Sequence, residues 1–494
     1  MVRLTAKDSL WKHPFWKYVV GGVGTVPIQR RDEYGSAADN KKAMAKLHEA
    51  LEDGACVCLF PEGQSRYQSG LAPLKTGVGY IALETLRRAL DAGKEDFTVT
   101  VIACGITYTH REKFRSDVCV VFETAARLRA GSLPELVGGP NGEKGAARAI
   151  VDSVAALLRR SVVSAPEWAT VRAALAAVRL HAPVGARIAL AQHARLTQSF
   201  VQVLSACTPA SLAQRRLVRL ASDPDIPVQD PEPSSTQEER AAALLSQLLA
   251  YQDALDAAGL PDAMLLKSAT QSRLGLLCTA ACRALWTAAL GLIAAPGAVI
   301  LSPALATGKF LEARIIRTNQ GPRRIRNLDE VAQYKLAVSV FVAPTLIFGV
   351  AWGNKRLLAP GLPMPALLGA SAAWLWLTMR WIEDGMASAN TLAAQLRLLL
   401  SPARAAALRK QRSALLPQVQ AAAEEYGLPT AEQLVANAPA DCKKRTSFLS
   451  YFSLLRRRRR EWGECAHYGI TPVDYPEQML LRQSQRNPAS KKSE

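Results

Sequence analysis

The chain is predicted to be an α/β layer, a mostly parallel sheet with flanking helices, followed by a helical appendage and then by C-terminal helices embedded in a membrane. Three observations predict this. Short apolar runs alternate with helix-period stretches over the first 130 residues, which is the pattern of strands joined by crossover helices. Residues 131–222 turn alanine- and leucine-rich with helical spacing. Beyond residue 283, three runs carry no charge at all, over 284–308, 336–353 and 357–379.

In the first 130 residues each element has a local reason. Residues 25–29 (TVPIQ) form a short strand, placed at an edge or strand end by Pro27, which has no N–H to give. Ser36 can cap a helix whose apolar positions Met44, Leu47 and Leu51 share one face and which stops at Gly54. Residues 55–60 (ACVCLF) are a buried strand by length and lack of charge. Residues 76–92 form a helix, and residues 97–104 and 116–123 are strands. His48 reads as a surface histidine on the helix before the ACVCLF strand.

Residues 131–222 are a helical extension that packs on the sheet domain. Residues 223–236 are a solvated linker, because four prolines and four acids crowd into DPDIPVQDPEPSST. Residues 237–283 are helical again. The membrane region spans residues 284–380, since about 20 apolar residues are what a bilayer demands. Trp352, Trp374, Trp376 and Trp381 lie near the ends of the runs, where the interfacial belt belongs. The loop 309–335 holds Lys309, Arg314, Arg317, Arg323, Arg324, Arg326 and Lys335, and so is expected on the cytosolic face. To keep the N-terminal domain on that face too, residues 284–308 are expected to turn at Pro296–Gly297 and return as a re-entrant hairpin, the alternative being a crossing. Residues 336–353 and 357–379 then make a transmembrane hairpin. Residues 381–494 form a basic cytosolic helical tail, with Arg456 to Arg460 facing anionic lipid.

Composition narrows the partners. A formal net charge of +19 over 494 residues points to something anionic. Nothing interleaves aromatic residues with the basic runs as single-strand binding requires, so nucleic acid is not expected and anionic membrane lipid is. Nine cysteines without a C-x-x-C pair argue against a disulfide framework and a structural zinc, and for a reducing compartment. No metal or resident cofactor is expected. The first twenty residues hold no run long enough for a secretory leader.

The chemistry concentrates in LFPEGQS, residues 59–65, and PLKTG, residues 73–77. A strand that ends at Phe60, followed by a Pro61-Glu62-Gly63 turn, puts a carboxylate and exposed amides at the C-terminal edge of a parallel sheet, where α/β proteins bind ligands. Gly63 allows close approach to the main chain. Arg30, Arg31, Arg66 and Lys75 are cations of the kind that hold a phosphate. Spacing alone leaves Glu62 open between a ligand-binding carboxylate and an ion-paired or capping turn residue.

FPEG followed by serine and PLKTG, preceded by GGVGTVPIQR, resembles the glycerolipid acyltransferase family, and within it the fungal-type glycerol-3-phosphate/dihydroxyacetone-phosphate acyltransferases. Residues 99–122 and 165–180 and the late membrane hairpin are similar too, so the resemblance covers most of the chain to about residue 380. It implies transfer of an acyl group from acyl-CoA, as co-substrate, to glycerol-3-phosphate, dihydroxyacetone phosphate or lysophosphatidate, at the cytosolic face of the endoplasmic reticulum membrane. It also implies that Arg30 contacts the acceptor's phosphate, that Glu62 and Gly63 bind the acceptor, that Ser65 contributes its hydroxyl, and that Lys75 and Gly77 belong to the PLKxG step. Arg66 stands where the fungal branch often has histidine, and Ala103 where the fourth block normally has proline.

The family's general base is a histidine with an aspartate five residues later. That Asn-His-x4-Asp block lies upstream of the segment matching residues 6–30, so no catalytic residue is identifiable in this chain. His48 and Asp53 match the spacing by accident. The expectation is a truncated reading of an enzyme, the alternative being a non-catalytic homologue that binds phosphorylated glycerol or lipid.

Overall fold

The computed structural model describes residues 2–12, 14–29, 34–35, 39–63, 68–108, 118–139, 141–182, 190–205, 235–269, 271–318 and 331–436. Arg30, Ser65, Arg66, the linker 223–234, the centre of the basic loop and the tail from residue 437 lie outside them. The chain divides into two compact units. One comprises Met1–Arg66, Gly70–Thr107 and Cys119–Val162; the other comprises Tyr67–Ser69, Tyr108–Val118 and Val163–Glu494.

The first unit opens with β1 (Val2–Lys7), a single 3-10 turn (Asp8–Lys12), α1 (Pro14–Gly22) and β2 (Val26–Ile28). Then come α2 (Lys41–Glu52), β3 (Cys56–Cys58) and α3 (Gly77–Asp91). β4 (Thr98–Tyr108), β5 (Val118–Arg129), α4 (Leu133–Val137) and α5 (Gly142–Ser161) complete it. The parallel sheet is small, in the order β2-β1-β3, with Thr5 opposite Val26 on one side and Arg3 opposite Val57 on the other. The central strand is therefore one that the sequence pattern does not announce. β4 and β5 make a separate two-stranded sheet among the described residues, so the single mostly parallel sheet expected over these strands is corrected to two sheets.

Leu83 and Leu86 of α3 pack with Val99, Val101 and Ala103 of β4 and with Ile150, Val154 and Leu158 of α5. On its other side α3 contributes Ile81 to a cluster with Val26, Ala43 and Leu47. Gly79 explains how closely α3 and α5 cross: a Cβ there would stand 2.7 Å from the Cα of Ala147, inside backbone that cannot yield. This unit runs on to Val162, past the limit expected at residue 130, because α5 closes its core. The strand expected over 55–60 shrinks to Cys56–Cys58 and is not buried; Phe60 is 60% exposed.

The second unit is helical: α6 (Trp168–His181), α7 (Leu190–Ser205), α8 (Ser235–Ala258), α9 (Asp262–Ala269), α10 (Arg273–Thr318), α11 (Val331–Leu357), α12 (Met364–Leu400), α13 (Pro402–Glu425) and α14 (Ala431–Ala436). Its core joins Phe200, Leu204, Leu248, Leu265, Leu415 and Val419. Beneath it lies a buried polar knot, in which Tyr251 donates to Asp262 and Arg412 Nε donates to both Asp262 oxygens at 3.1 and 3.2 Å.

The apolar region also departs from expectation. α10 passes unbroken through Pro296 and Pro303, so the re-entrant turn at Pro296–Gly297 is not formed. Gly297 serves packing instead: a Cβ on it would stand 2.8 Å from Cβ of Thr378 on α12. One helix among the described residues, Arg273–Phe310 of α10, is long and apolar enough to cross a membrane, by length and composition. The run expected over 357–379 is interrupted at its start, because α11 ends at Leu357 and α12 begins at Met364.

Candidate active site

β1 and β2 end level, Lys7 opposite Ile28, while β3 ends at Cys58 opposite Leu4, and the segment that leaves β3 builds the candidate site. β3 leads through Leu59 and Phe60 into the Pro61–Glu62 turn, which Gly63 closes by donating its N–H to Phe60 O at 2.9 Å. Gly63 has φ +71°, a left-handed conformation that a side chain would strain. Two hydrogen bonds then fasten the segment Ala72–Lys75, which enters PLKTG, to this turn. Lys75 N–H donates to Pro61 O at 2.9 Å, and Ala72 N–H donates to Glu62 Oε2 at 3.2 Å.

The two motifs thus form one closed loop. The exposed Lys75 side chain lies over Gly63, its Cε and Nζ each 2.8 Å from where a Cβ would sit. Gly77 opens α3, with nothing within 4 Å of an added Cβ. Thr76, the residue before it, makes no side-chain cap, so the first-turn amides of α3 receive none from it. A carboxylate, an ammonium and main-chain amides therefore converge at the end of β3, a set that can hold a polyol and a phosphate together.

Of the residues singled out from sequence, Glu62, Gly63, Lys75 and Gly77 are brought together here. Arg30, Ser65 and Arg66 lie outside the described residues. Sequence reasoning misses the brace on the strand that leads to Arg30. Gln29 N–H donates to Asn40 Oδ1 at 2.8 Å, Asn40 Nδ2 donates to Gln29 O at 2.9 Å, and Asp39 N–H donates to Gln29 Oε1 at 2.9 Å. Asn40 precedes α2 but gives it no side-chain cap, since its amide is committed to Gln29. After β1, Asp8 accepts a hydrogen bond from Tyr34 at 2.5 Å, which pushes the Tyr34 phenol up. An amide or carboxylate just past a strand end is the available signal.

His48 is buried, 4% exposed, which corrects the surface reading. Its Nδ1 lies 2.8 Å from Thr85 Oγ1. Thr85 gives its own proton to Ile81 O at 2.8 Å, so the imidazole must be the donor. Burial, then the nearby Arg88, holds its pKa below the usual value. With Nδ1 committed to Thr85, it does not form the imidazole–aspartate pair that a general base needs. Nor is Cys58 a ready nucleophile: burial pushes its thiol up, and Cys104 and Cys56 add to this.

The family model for acyltransferases matches residues 1–107, the stretch that holds the whole of this site. Residues 1–107 thus match an acyltransferase domain. The model for the glycerol-3-phosphate acyltransferase 2 C-terminal domain matches residues 234–431, from α8 to α14. The chain is 26% identical over 330 residues to glycerol-3-phosphate O-acyltransferase 2 of Saccharomyces cerevisiae, covering 64% of this chain and 38% of the relative. It is 24% identical over 321 residues to glycerol-3-phosphate O-acyltransferase 1 of the same yeast, covering 64% and 37%. An uncharacterized acyltransferase of Schizosaccharomyces pombe is 26% identical over 308 residues, covering 61% and 40%. The chain therefore spans less than half the length of these curated relatives. No solved structure matches it.

Proposed function

We propose that this protein moves an acyl group from acyl-CoA to glycerol-3-phosphate, or to dihydroxyacetone phosphate, at a membrane. The observation that carries the reading is the closed loop in which Glu62, Gly63 and Lys75 meet at the end of a parallel strand. Its support from outside the geometry is the homology to two yeast glycerol-3-phosphate O-acyltransferases and the C-terminal domain shared with that type.

In this reading Lys75, Arg30 and Arg66 take the acceptor's phosphate, and Glu62, with the Gly63 main chain and Ser65, orients its hydroxyls. Gly77 keeps the start of α3 open to the phosphate. The acceptor oxygen attacks the thioester carbonyl, its proton passes to a general base, and CoA leaves as the thiol. His48 has no part in that step. Burial of the acyl chain is served by placing the site at a lipid surface, and we place it on the cytosolic face of the endoplasmic reticulum membrane, held by the apolar helices and by anionic lipid against the basic chain.

The test is an acyl-transfer assay on membranes expressing this chain, and separately the longest open reading frame that contains it. Labelled glycerol-3-phosphate, dihydroxyacetone phosphate and lysophosphatidate are each supplied with long-chain acyl-CoA. Acylation of either of the first two supports the reading. Acylation of lysophosphatidate alone changes the acceptor, and no product from any of them in either preparation refutes the activity.

A further inference from the structure

We infer that α10 and α12 are the two membrane-crossing helices of this chain, packed antiparallel, and that α11 between them does not cross. The inference rests on the membrane placement proposed above, and its test reads topology rather than activity.

Four contacts fix the register. Gln395 Nε2 donates to Thr279 Oγ1 at 3.4 Å, and Thr287 Oγ1 donates to Ser388 Oγ at 2.8 Å. Leu290 Cβ lies 3.8 Å from the Cβ position of Gly385, and Gly297 meets Thr378. Ascending α10 through Thr279, Thr287, Leu290 and Gly297 descends α12 through Gln395, Ser388, Gly385 and Thr378. Small residues and hydroxyls at such a seam are what associates helices in lipid, where hydrophobicity drives nothing together.

The stretch of α10 between Arg283 and Lys309 carries no charge and is about 37 Å long at 1.5 Å per residue, enough for a hydrocarbon core of about 30 Å. Away from the seam its apolar side chains stand exposed, Leu292 at 79% and Val299 at 72%. α12 lies beside it and must share its depth. Its charged residues Arg380, Glu383 and Asp384 fall between Thr378 and Gly385, hence level with the middle of the uncharged stretch of α10. Their spacing puts both acids on the arginine's side of the helix. Arg380 is 7% exposed, with its guanidinium 4.1 Å from the Trp376 ring centroid. That is how charge is carried inside a bilayer: turned inward and matched by its opposite.

The order of the helices sets the topology. α12 begins at the end of the pair where α10 finishes, so residues 319–363 leave and re-enter at one face. A helix inside that segment cannot make a single crossing, and α11 is one unbroken helix through Pro344, so it lies at that face. Two crossings put everything before α10 and everything after α12 on the same side. Cations flank the pair on both sides, Lys309, Arg314, Arg317, Arg323, Arg324, Arg326, Lys335, Lys355 and Arg356 between the apolar spans of α10 and α12, and Arg273, Arg283, Arg397, Arg404, Arg409, Lys410 and Arg412 outside them, so the charges do not themselves choose which face is cytosolic.

A protease-cleavable sequence inserted one at a time into the full chain tests this, in sealed membranes and after detergent. The insertions go before Arg273, within 319–330, at 359–362 and after residue 436. We expect the first and last to share one face, and the two middle ones to share the other. Cleavage of the two middle insertions from opposite faces would show that α11 crosses. Cleavage of all four from one face would show that α10 and α12 lie along the surface or against another protein. Either result overturns the inference. Release of the chain by alkaline carbonate would instead sink the membrane placement itself.

Discussion

Among single residues, the fold has committed some groups to itself and left others for a ligand. Gly63 sits at φ +71° with Lys75 folded over it, so Gly63→Ala both strains the turn and displaces the ammonium. The expected outcome is a rise of about 10-fold or more in the acceptor KM, the size of one lost charge-assisted hydrogen bond, with the acyl-CoA KM unchanged. His48 is the opposite case. His48→Ala removes a buried ring and leaves Thr85 without it, so the melting midpoint should fall by the equivalent of about 1–3 kcal/mol while the acceptor KM stays put. Loss of activity in a His48→Ala protein that is still folded would return His48 to the reaction. Gly63 is legible in the sequence through its motif, whereas His48 misleads through its spacing. His-x4-Asp is a property of position along the chain, and burial under Thr85 is a property of where α2 meets α3.

Among secondary-structure elements, helices are more legible than strands. α3 falls where its 3.6 period puts it, because a long amphipathic stretch has few other ways to bury its face. β1 escapes notice because VRLTAK alternates weakly and draws its place from two neighbours, both remote in sequence. Pro296–Gly297 reads as a turn and is helix, since glycine here admits a neighbouring helix rather than bending its own. The same logic makes Asp262→Ala costly: it would strand the buried Arg412 guanidinium, and about 3–5 kcal/mol of stability should go, measured as a fall in denaturant midpoint. α7 carries a pH liability. Burial holds His193 neutral down to about 3, while in the unfolded chain it takes up a proton near 6.5. The unfolded state then binds more protons between those values, so stability is full above pH 6.5 and is lost as pH falls. About 2 kcal/mol should be gone at pH 5, and His193→Gln should flatten that slope in melts from pH 7 to 5.

Across the molecule, the two units divide the labour. The first supplies a small parallel sheet with Glu62, Gly63 and Lys75 gathered past the end of β3, and the second supplies the long apolar helices. In the proposed function these serve acceptor binding and membrane attachment respectively. Composition makes the second half readable as membrane-bound but cannot count its crossings, because that count depends on helix pairing. A net charge of +19 is consistent with anionic lipid and anionic substrates as partners. Both units matter only if the Glu62–Lys75 loop is the seat of the glycerol-phosphate acceptor. Calorimetric titration of glycerol-3-phosphate into the detergent-solubilised chain and its Glu62→Gln form asks this without needing turnover. We predict saturable binding by the native chain and a Kd weakened about 10-fold or more in the variant, with melting midpoints alike. Equal binding by the two folded proteins, or none by either, would mean that the acceptor sits elsewhere.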